Sequence, residues 1–338
     1  MKSPQLNRFE AVHIGKERFE RRELLKLLGL GSVVSVSGLL GCASGAVTRP
    51  GPSVPPPAPG TPPGAAPPPP LPAEDFIFLQ LSDTHWGYSG ANNPEAEGTL
   101  PQAVRAINAS PVNPDFVVFT GDLTHTTDDA GVRRKRMQEF RSIIGDLKVK
   151  TRYFLPGEHD AGPDGGEVYR ELFGETHAAF DHRGVHFVLL DNVSAQGSSL
   201  GDAQLEWLER DVASLQPTTP LVVFTHRPLF ELYPSWDWFT RDGARALQIL
   251  AQHPSATVFY GHIHQAHHVQ TGSIAHHAAR SLIFPLPPPG SVPKRAPLPW
   301  DPNSTDHGLG YRNVREHSGQ AELEDVALAL AARAGTPA

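Results

Sequence analysis

Phe76-Ile77-Phe78-Leu79-Gln80-Leu81 runs directly into Ser82-Asp83-Thr84-His85. A short apolar run bounded by turn-forming residues reads as a buried strand. This one delivers a carboxylate and an imidazole at its carboxyl end. The pattern recurs down the chain. Phe116–Phe119 ends in Thr120-Gly121-Asp122, and Arg152–Leu155 ends in Pro156-Gly157-Glu158-His159-Asp160. Leu221–Thr225 ends in His226-Arg227-Pro228, and Thr257–Tyr260 in Gly261-His262-Ile263-His264. Val185–Leu190 is a further strand of the same type. Helical patterns lie between them at Gln102–Asn108, Val132–Leu147, Asp202–Leu215 and Asp242–Ala251, with Asp202 a candidate N-cap. This alternation predicts an α/β architecture with sheet inside and helices outside. Ligands of such sheets bind in the crevice beyond the carboxyl ends of the strands, and the Asp, Glu and His residues are expected to converge there.

A lone His after a strand is usually a hydrogen-bonded structural residue, and Gly-Asp is a common turn. Five such strand ends in one chain point instead to a metal site. Carboxylate oxygen and imidazole nitrogen without sulfur suit Mn, Fe or Zn. The single Cys excludes a Cys-based zinc site and an internal disulfide framework. Seven candidate ligands exceed the needs of one tetrahedral ion, and two ions sharing a carboxylate account for them. A formal charge of −7 excludes binding to nucleic acid by bulk positive charge, and no protein partner is deducible.

The ordered set Asp83-x-His85, Gly121-Asp122, Gly157-Glu158-His159-Asp160, His226 and Gly261-His262-x-His264 resembles the calcineurin-like metallophosphoesterase superfamily. Leu81-Ser-Asp-Thr-His85 and the short loop spacing are most similar to its cyclic-nucleotide phosphodiesterase branch. The resemblance implies a two-sheet β-sandwich flanked by helices, with the metal site at the C-terminal ends of strands. It implies that Asp83, His85, Asp122 and His264 hold one divalent ion, and that Asp122 bridges to a second held by Glu158, His226 and His262. His159 would stabilise or protonate the leaving oxygen, with a metal-bridging hydroxide as nucleophile on a phosphoester substrate.

The family pattern usually has Asn where this chain has Glu158. A third carboxylate beside the metals lowers their net positive charge and removes an amide N–H donor. One consequence would be a preference for a monoanionic phosphodiester over a dianionic monoester. The other readings are a local variant with ordinary phosphatase activity, and a remodelled site in a metal-binding, non-hydrolytic surface lipoprotein. Hydrolysis of a non-phosphate bond on the same metal pair is a further alternative.

Residues 1–26 carry seven basic and four acidic residues, and fourteen apolar or small residues follow from Leu27 to Leu40. That stretch is too short to span a membrane, which takes about twenty residues, and reads as a secretory signal. Arg21-Arg22-Glu23-Leu24-Leu25-Lys26 resembles a twin-arginine export signal. Leu39-Leu40-Gly41-Cys42 resembles a bacterial lipobox, with Cys42 as the lipidated residue. Export in the folded state would let the site load in the cytoplasm, which favours Mn or Fe over Zn. Residues 50–72 hold 13 of the 34 prolines, a composition suited to a stiff polyproline spacer.

The expected organisation is a signal peptide over 1–41, a tether over 42–74, a metallophosphoesterase domain over 75–284, and a Pro-rich extension over 285–338 that completes or wraps it. The location would be the periplasmic or cell-surface face of a bacterial membrane. His125 and Asp160 are candidates to hold ligands in place. His267-His268 and His276-His277 read as a solvated polar loop rather than a further metal site. Tyr233-Pro-Ser-Trp236-Asp-Trp238 is either a substrate wall or loop packing, and Arg133-Arg-Lys-Arg136 a solvated helix face. Gly310–Val314 and Ala321–Leu328 could be two strands, or a strand and a helix.

Overall fold

The computed structural model describes residues 75–317 and 320–330. The signal, the lipobox Cys42 and the proline tether therefore lie outside the described residues. In chain order the elements are β1 (Phe76–Leu81), α1 (Ala96–Ala109), β2 (Phe116–Thr120), α2 (Ala130–Gly145), β3 (Arg152–Leu155), α3 (Glu158–Ala161) and α4 (Glu167–Phe173). They continue with β4 (Ala178–His182), β5 (Val185–Leu189), α5 (Asp202–Ala213), β6 (Leu221–Phe224), α6 (Gly243–Leu250) and β7 (Ala256–Tyr260). β8 (His267–Thr271), β9 (Ile274–Ala278), β10 (Gly310–His317) and β11 (Gln320–Ala327) complete the fold. No helix among the described residues is long and apolar enough to cross a membrane.

Two mixed sheets result, one ordered β11-β10-β1-β2-β3 and the other β4-β5-β6-β7-β9-β8. Period-two alternation assigns each side chain to a layer. Phe76, Phe78, Phe116 and Val118 of the first sheet pack with Phe187, Val222, Phe224 and Phe259 of the second to form the core between them. The Phe78 ring stacks on Phe116 at 5.1 Å and meets Phe224 and Phe259 edge-on at 5.7 and 5.6 Å. The intervening residues Leu79, Leu81, Val117 and Phe119 face the other way, packing with Val104, Met137 and Phe140 of α1 and α2. Val188, Val223 and Val258 likewise pack against Leu205, Leu208 and Ile249 of α5 and α6. The inner strands are buried on both faces, which is why they read as nearly continuous apolar runs. The expected two-sheet sandwich flanked by helices is thus present.

Several local expectations are corrected. α1 begins at Ala96, ahead of Pro101, rather than at Gln102. The cap of α5 is Gly201, and Asp202 is its first helical residue, turned to Arg245. The paired histidines do not form a loop. They lie on β8 and β9, whose antiparallel register closes at Thr271↔Ile274 around Gly272-Ser273. Of the two readings left open for the C-terminal segment, two strands is the observed one. β10 pairs antiparallel with β1 (Phe76↔Glu316) and with β11 (Gly310↔Ala327). The α2 basic run is not uniformly solvated, because Arg133 is buried and paired with Asp164 at 3.2 Å. Arg136 donates to the carbonyls of His125 and Thr126 at 2.7 and 3.0 Å.

Candidate metal centre

The sequence places its polar residues just past β1, β2 and β3 of one sheet and β6 and β7 of the other, and there the chain turns sharply. Asp83, His85, Asp122, His262 and His264 all adopt positive φ, between 42° and 65°. Each such non-glycine residue costs on the order of 1–3 kcal/mol, strain that persists only where the surroundings impose it. The turns are tied to each other. Asp83 and His85 donate backbone N–H groups to the carbonyls of Gly121 and Asp122 at 3.1 and 2.9 Å. The His262 N–H reaches Asp83 Oδ2 at 3.1 Å, and the His159 N–H reaches Asp122 Oδ1 at 2.9 Å. Glycine permits the close approach. A Cβ on Gly157 would lie 2.0 Å from Asp122 Oδ1, and one on Gly261 would lie 2.0 Å from Ser82 Oγ.

Asp160 pins two of the turns at once. It accepts backbone N–H bonds from Leu123, Thr124 and Gly157, each at 2.9 Å, together with the Thr124 hydroxyl. Its burial and the nearby Asp122 carboxylate push its pKa up to about 6.

Among the described residues the side chains form three groups whose ligand atoms lie within 4.8 Å of one another: Asp83/His85/His264, Asp122/Glu158/His226/His262, and the all-imidazole set His85/His125/His159. His264 Nε2 is 3.3 Å from both Asp83 Oδ1 and His85 Nε2. Asp122 Oδ2 stands between the first two groups, 3.4 Å from His85 Nε2 on one side and 3.4 Å from His226 Nε2 on the other. Glu158 places its oxygens 2.8 Å from His226 Nε2 and 2.8 Å from His262 Nδ1. His159 is nearby, with Nε2 3.9 Å from Asp122 Oδ2. His125 joins through Nδ1, 3.3 Å from His85 Nδ1. All the sequence-derived candidates in the described residues are therefore brought together, with Asp160 and His125 beside the ligand groups.

Backbone groups hold the imidazoles in place. His226 Nδ1 donates to Thr120 O at 2.8 Å and His264 Nδ1 to Phe284 O at 2.7 Å, so both turn Nε2 toward the centre. His159 is set the other way. Its Nδ1 accepts the Thr126 N–H at 3.2 Å, leaving the proton on Nε2.

The charges are strongly coupled. Burial alone would raise the pKa of Glu158, but the imidazoles of His262 and His226 outweigh it and hold the carboxyl well below its usual range. Burial pulls His226 down, and the Asp122 and Glu158 carboxylates more than reverse this. His85 lies well below the usual imidazole value because of burial and the neighbouring His159 and His264.

These residues fit a pair of divalent cations. Glu158 Oε2, His226 Nε2 and His262 Nε2 are enclosed and lack a hydrogen-bond partner, although the Glu158 side chain as a whole is 27% exposed. Glu158 Oε2 and His226 Nε2 are 2.8 Å apart without hydrogen-bond geometry, as expected of two ligands aimed at one ion. Buried charges are stable when paired or metal-bound, and an oxygen and nitrogen donor set suits Mn, Fe or Zn.

A cavity of about 240 Å³ opens on the cluster. It is also lined by Phe284, Leu286, Arg295, Ala296 and Pro297, none of which the sequence singled out. The only available signal was their place in the proline-rich stretch after the last ligand pair. Trp236 and Trp238 do not line the cavity. They pack with Tyr260, Ile263 and Ile283, which settles that segment as loop packing.

The sequence profile described as calcineurin-like phosphoesterase matches residues 76–266. A cAMP/cGMP dual specificity phosphodiesterase of Mycobacterium tuberculosis is 27% identical over 210 residues, 57% of this chain and 63% of that one. The 3',5'-cyclic adenosine monophosphate phosphodiesterase of Escherichia coli K12 is 27% identical over 199 residues, 55% of this chain and 69% of the relative. The matched region thus spans less than two thirds of the mycobacterial relative's length. Among solved structures, a dimetal phosphatase from Danio rerio superposes with a TM-score of 0.54 at 15% identity, covering 76% of this chain and all of that one. With the family profile matched along more than half of its length and the family's fold around a cluster of potential metal ligands, the chain belongs to the calcineurin-like phosphoesterase family.

Proposed function

We propose that the protein is a dinuclear metal-dependent phosphoesterase that favours phosphodiesters. The observation that carries this reading is the position of Asp122 Oδ2, 3.4 Å from an imidazole of each ligand group. Asp83, His85, Asp122 and His264 would hold one cation, and Asp122, Glu158, His226 and His262 the other. When bound, such a pair supplies Lewis-acid activation of water and neutralises charge on phosphoryl oxygens.

The chain's own residues supply the rest. The carbonyls of Thr120 and Phe284 keep His226 and His264 turned inward. The Thr126 N–H keeps the His159 proton on Nε2. His159 is about a quarter exposed and lines the cavity, so that proton can pass to a leaving oxygen there. Glu158 adds a third carboxylate to Asp83 and Asp122, which reduces the attraction for a dianionic monoester more than for a monoanionic diester. We further propose export, lipid anchoring at Cys42, and Mn or Fe as the resident metals.

The test is hydrolysis of 4-nitrophenyl phosphate and bis(4-nitrophenyl) phosphate by the purified full chain in detergent, supplied in turn with Mn, Fe or Zn. Metal-dependent turnover is expected, with a fall of at least about 100-fold in Asp122→Asn. Folded, metal-loaded protein that turns over neither ester would overturn the reading in favour of a metal-binding, non-hydrolytic role.

A further inference from the structure

The lining of the cavity includes one side chain that is always cationic, Arg295. It is half-buried, and it has neither a hydrogen bond nor an ion pair among the described residues. The other pocket-lining groups capable of charge are the acidic and imidazole side chains of the metal centre. Phe284, which stacks on the His264 ring at 4.9 Å, and Leu286 and Pro297 add apolar surface to the same cavity.

The segment that presents Arg295 is stapled in place. Gln265, next to His264, donates to the carbonyls of Leu286 and Pro287 at 3.0 and 2.7 Å. Asn92 donates to the carbonyls of Pro297 and Leu298 at 3.1 and 3.0 Å. The Leu298 N–H closes back on Pro285 O at 3.0 Å. Pro293 and Pro297 lie two residues either side of Arg295 and, with the preceding Val292 and Ala296, stiffen the segment that carries it. An unpaired guanidinium on a restrained segment lining a ligand cavity is pre-organised for an anion.

We infer that Arg295 is a specificity residue for the non-reacting part of the substrate, and that this part carries a second anionic group, a carboxylate or another phosphate. The inference deepens the phosphodiesterase reading and rests on it. The reacting phosphoryl faces the acidic and imidazole side of the cavity, and the remainder of the ester lies along the apolar wall. Arg295 meets the charge at its end. Glu158 removes positive charge where the phosphoryl binds, and Arg295 places positive charge where a second anion would sit. The preferred substrate is then a diester recognised at two separated anionic points, not a monoester recognised at one.

Glycerophosphoserine and glycerophosphoethanolamine differ by one carboxylate. Non-hydrolysable phosphonate analogues of both would be titrated calorimetrically into the metal-loaded full chain, with hydrolysis of the parent esters followed in parallel. About tenfold tighter binding of the carboxylate-bearing analogue is expected, in line with one charge-assisted hydrogen-bond pair. That preference should vanish in Arg295→Gln and return in part in Arg295→Lys. Equal affinities in the wild type, or a preference that survives Arg295→Gln, would overturn the assignment. An equal loss for both analogues in Arg295→Gln would place the guanidinium on the phosphoryl group and overturn it as well. Preferential binding without turnover of either parent ester would instead overturn the hydrolase reading and leave the anion-selective wall standing.

Discussion

Glu158 is the residue at which this chain departs from its family's usual pattern, and its geometry shows what the departure changes. Its two oxygens lie 2.8 Å from His226 Nε2 and 2.8 Å from His262 Nδ1, within the second ligand group. Asn at this position could offer one oxygen to the same space and an N–H to a substrate oxygen. Glu offers two oxygens and a negative charge. Glu158→Asn should therefore shift the ratio of kcat/KM for bis(4-nitrophenyl) phosphate over 4-nitrophenyl phosphate toward the monoester by about tenfold, a change of about 1.4 kcal/mol in relative barrier. An unchanged ratio would remove charge as the basis of the proposed diester preference. The candidate ligands were legible in the sequence, because each follows a strand and most sit beside a glycine or another short residue. The groups that set their tautomers were not. Thr120 O, Phe284 O and the Thr126 N–H are backbone atoms, and every residue type presents them.

At the scale of elements, legibility followed polarity. β1, β2, β5, β6 and β7 are buried on both faces and read correctly from apolar runs. β8 and β9 were hidden by their histidines, because imidazoles at consecutive positions conceal a period of two. Their burial nonetheless alternates, with Ile274, His276 and Ala278 inside. α3 is four residues long and was concealed within a ligand motif. The buried β9 histidine has a measurable consequence. Burial lowers the His276 pKa to about 4 from an ordinary 6.5, so the native state binds fewer protons than the unfolded chain between these values. Stability is then full above about pH 6.5 and falls as pH drops toward 4, by at most about 3 kcal/mol from this residue. His186 on β5 acts in the opposite sense. Burial pulls it down, but Asp211 and Asp181, at 2.9 and 2.6 Å, raise its pKa above the ordinary value. Its contribution is fully present below about pH 6.5 and is lost as pH rises through the raised value. Urea unfolding between pH 4.5 and 8 should show a flatter limb below pH 6.5 in His276→Gln, whereas His186→Gln should leave that limb unchanged and lose the decline in stability with rising pH just above pH 6.5. Parallel limbs in wild type and both variants would contradict these assignments.

On the scale of the whole molecule, the two sheets are joined by a buried cation that the sequence did not flag. Arg312 on β10 is fully buried and bonds Asp325 Oδ1 on β11 at 2.8 Å. Its other arm reaches Ala278 O on β9 of the opposite sheet, also at 2.8 Å. Arg312→Met would leave the Ala278 carbonyl without its donor while solvent takes over Asp325, and should lower unfolding free energy by about 1–3 kcal/mol with an unchanged denaturant slope. A loss under about 0.5 kcal/mol would mean that the clamp contributes no more than an exposed ion pair. The remaining question of scale is where the domain works. The proposed anchor and spacer precede the described residues and are legible only as composition, with one Cys at position 42 and 13 prolines between positions 50 and 72. The proposed anchor would attach the folded domain to a membrane. Lipid attached to Cys42 would provide all of that affinity, at about 0.8 kcal/mol per buried methylene. Cys42→Ser should accordingly move the protein from the membrane pellet to the soluble fraction of fractionated cells, with kcat/KM per folded molecule unchanged. Membrane retention of Cys42→Ser would place the attachment elsewhere. Its recovery as a soluble, fully active phosphoesterase would separate the address of this chain from its chemistry, as the proline-rich boundary between them implies.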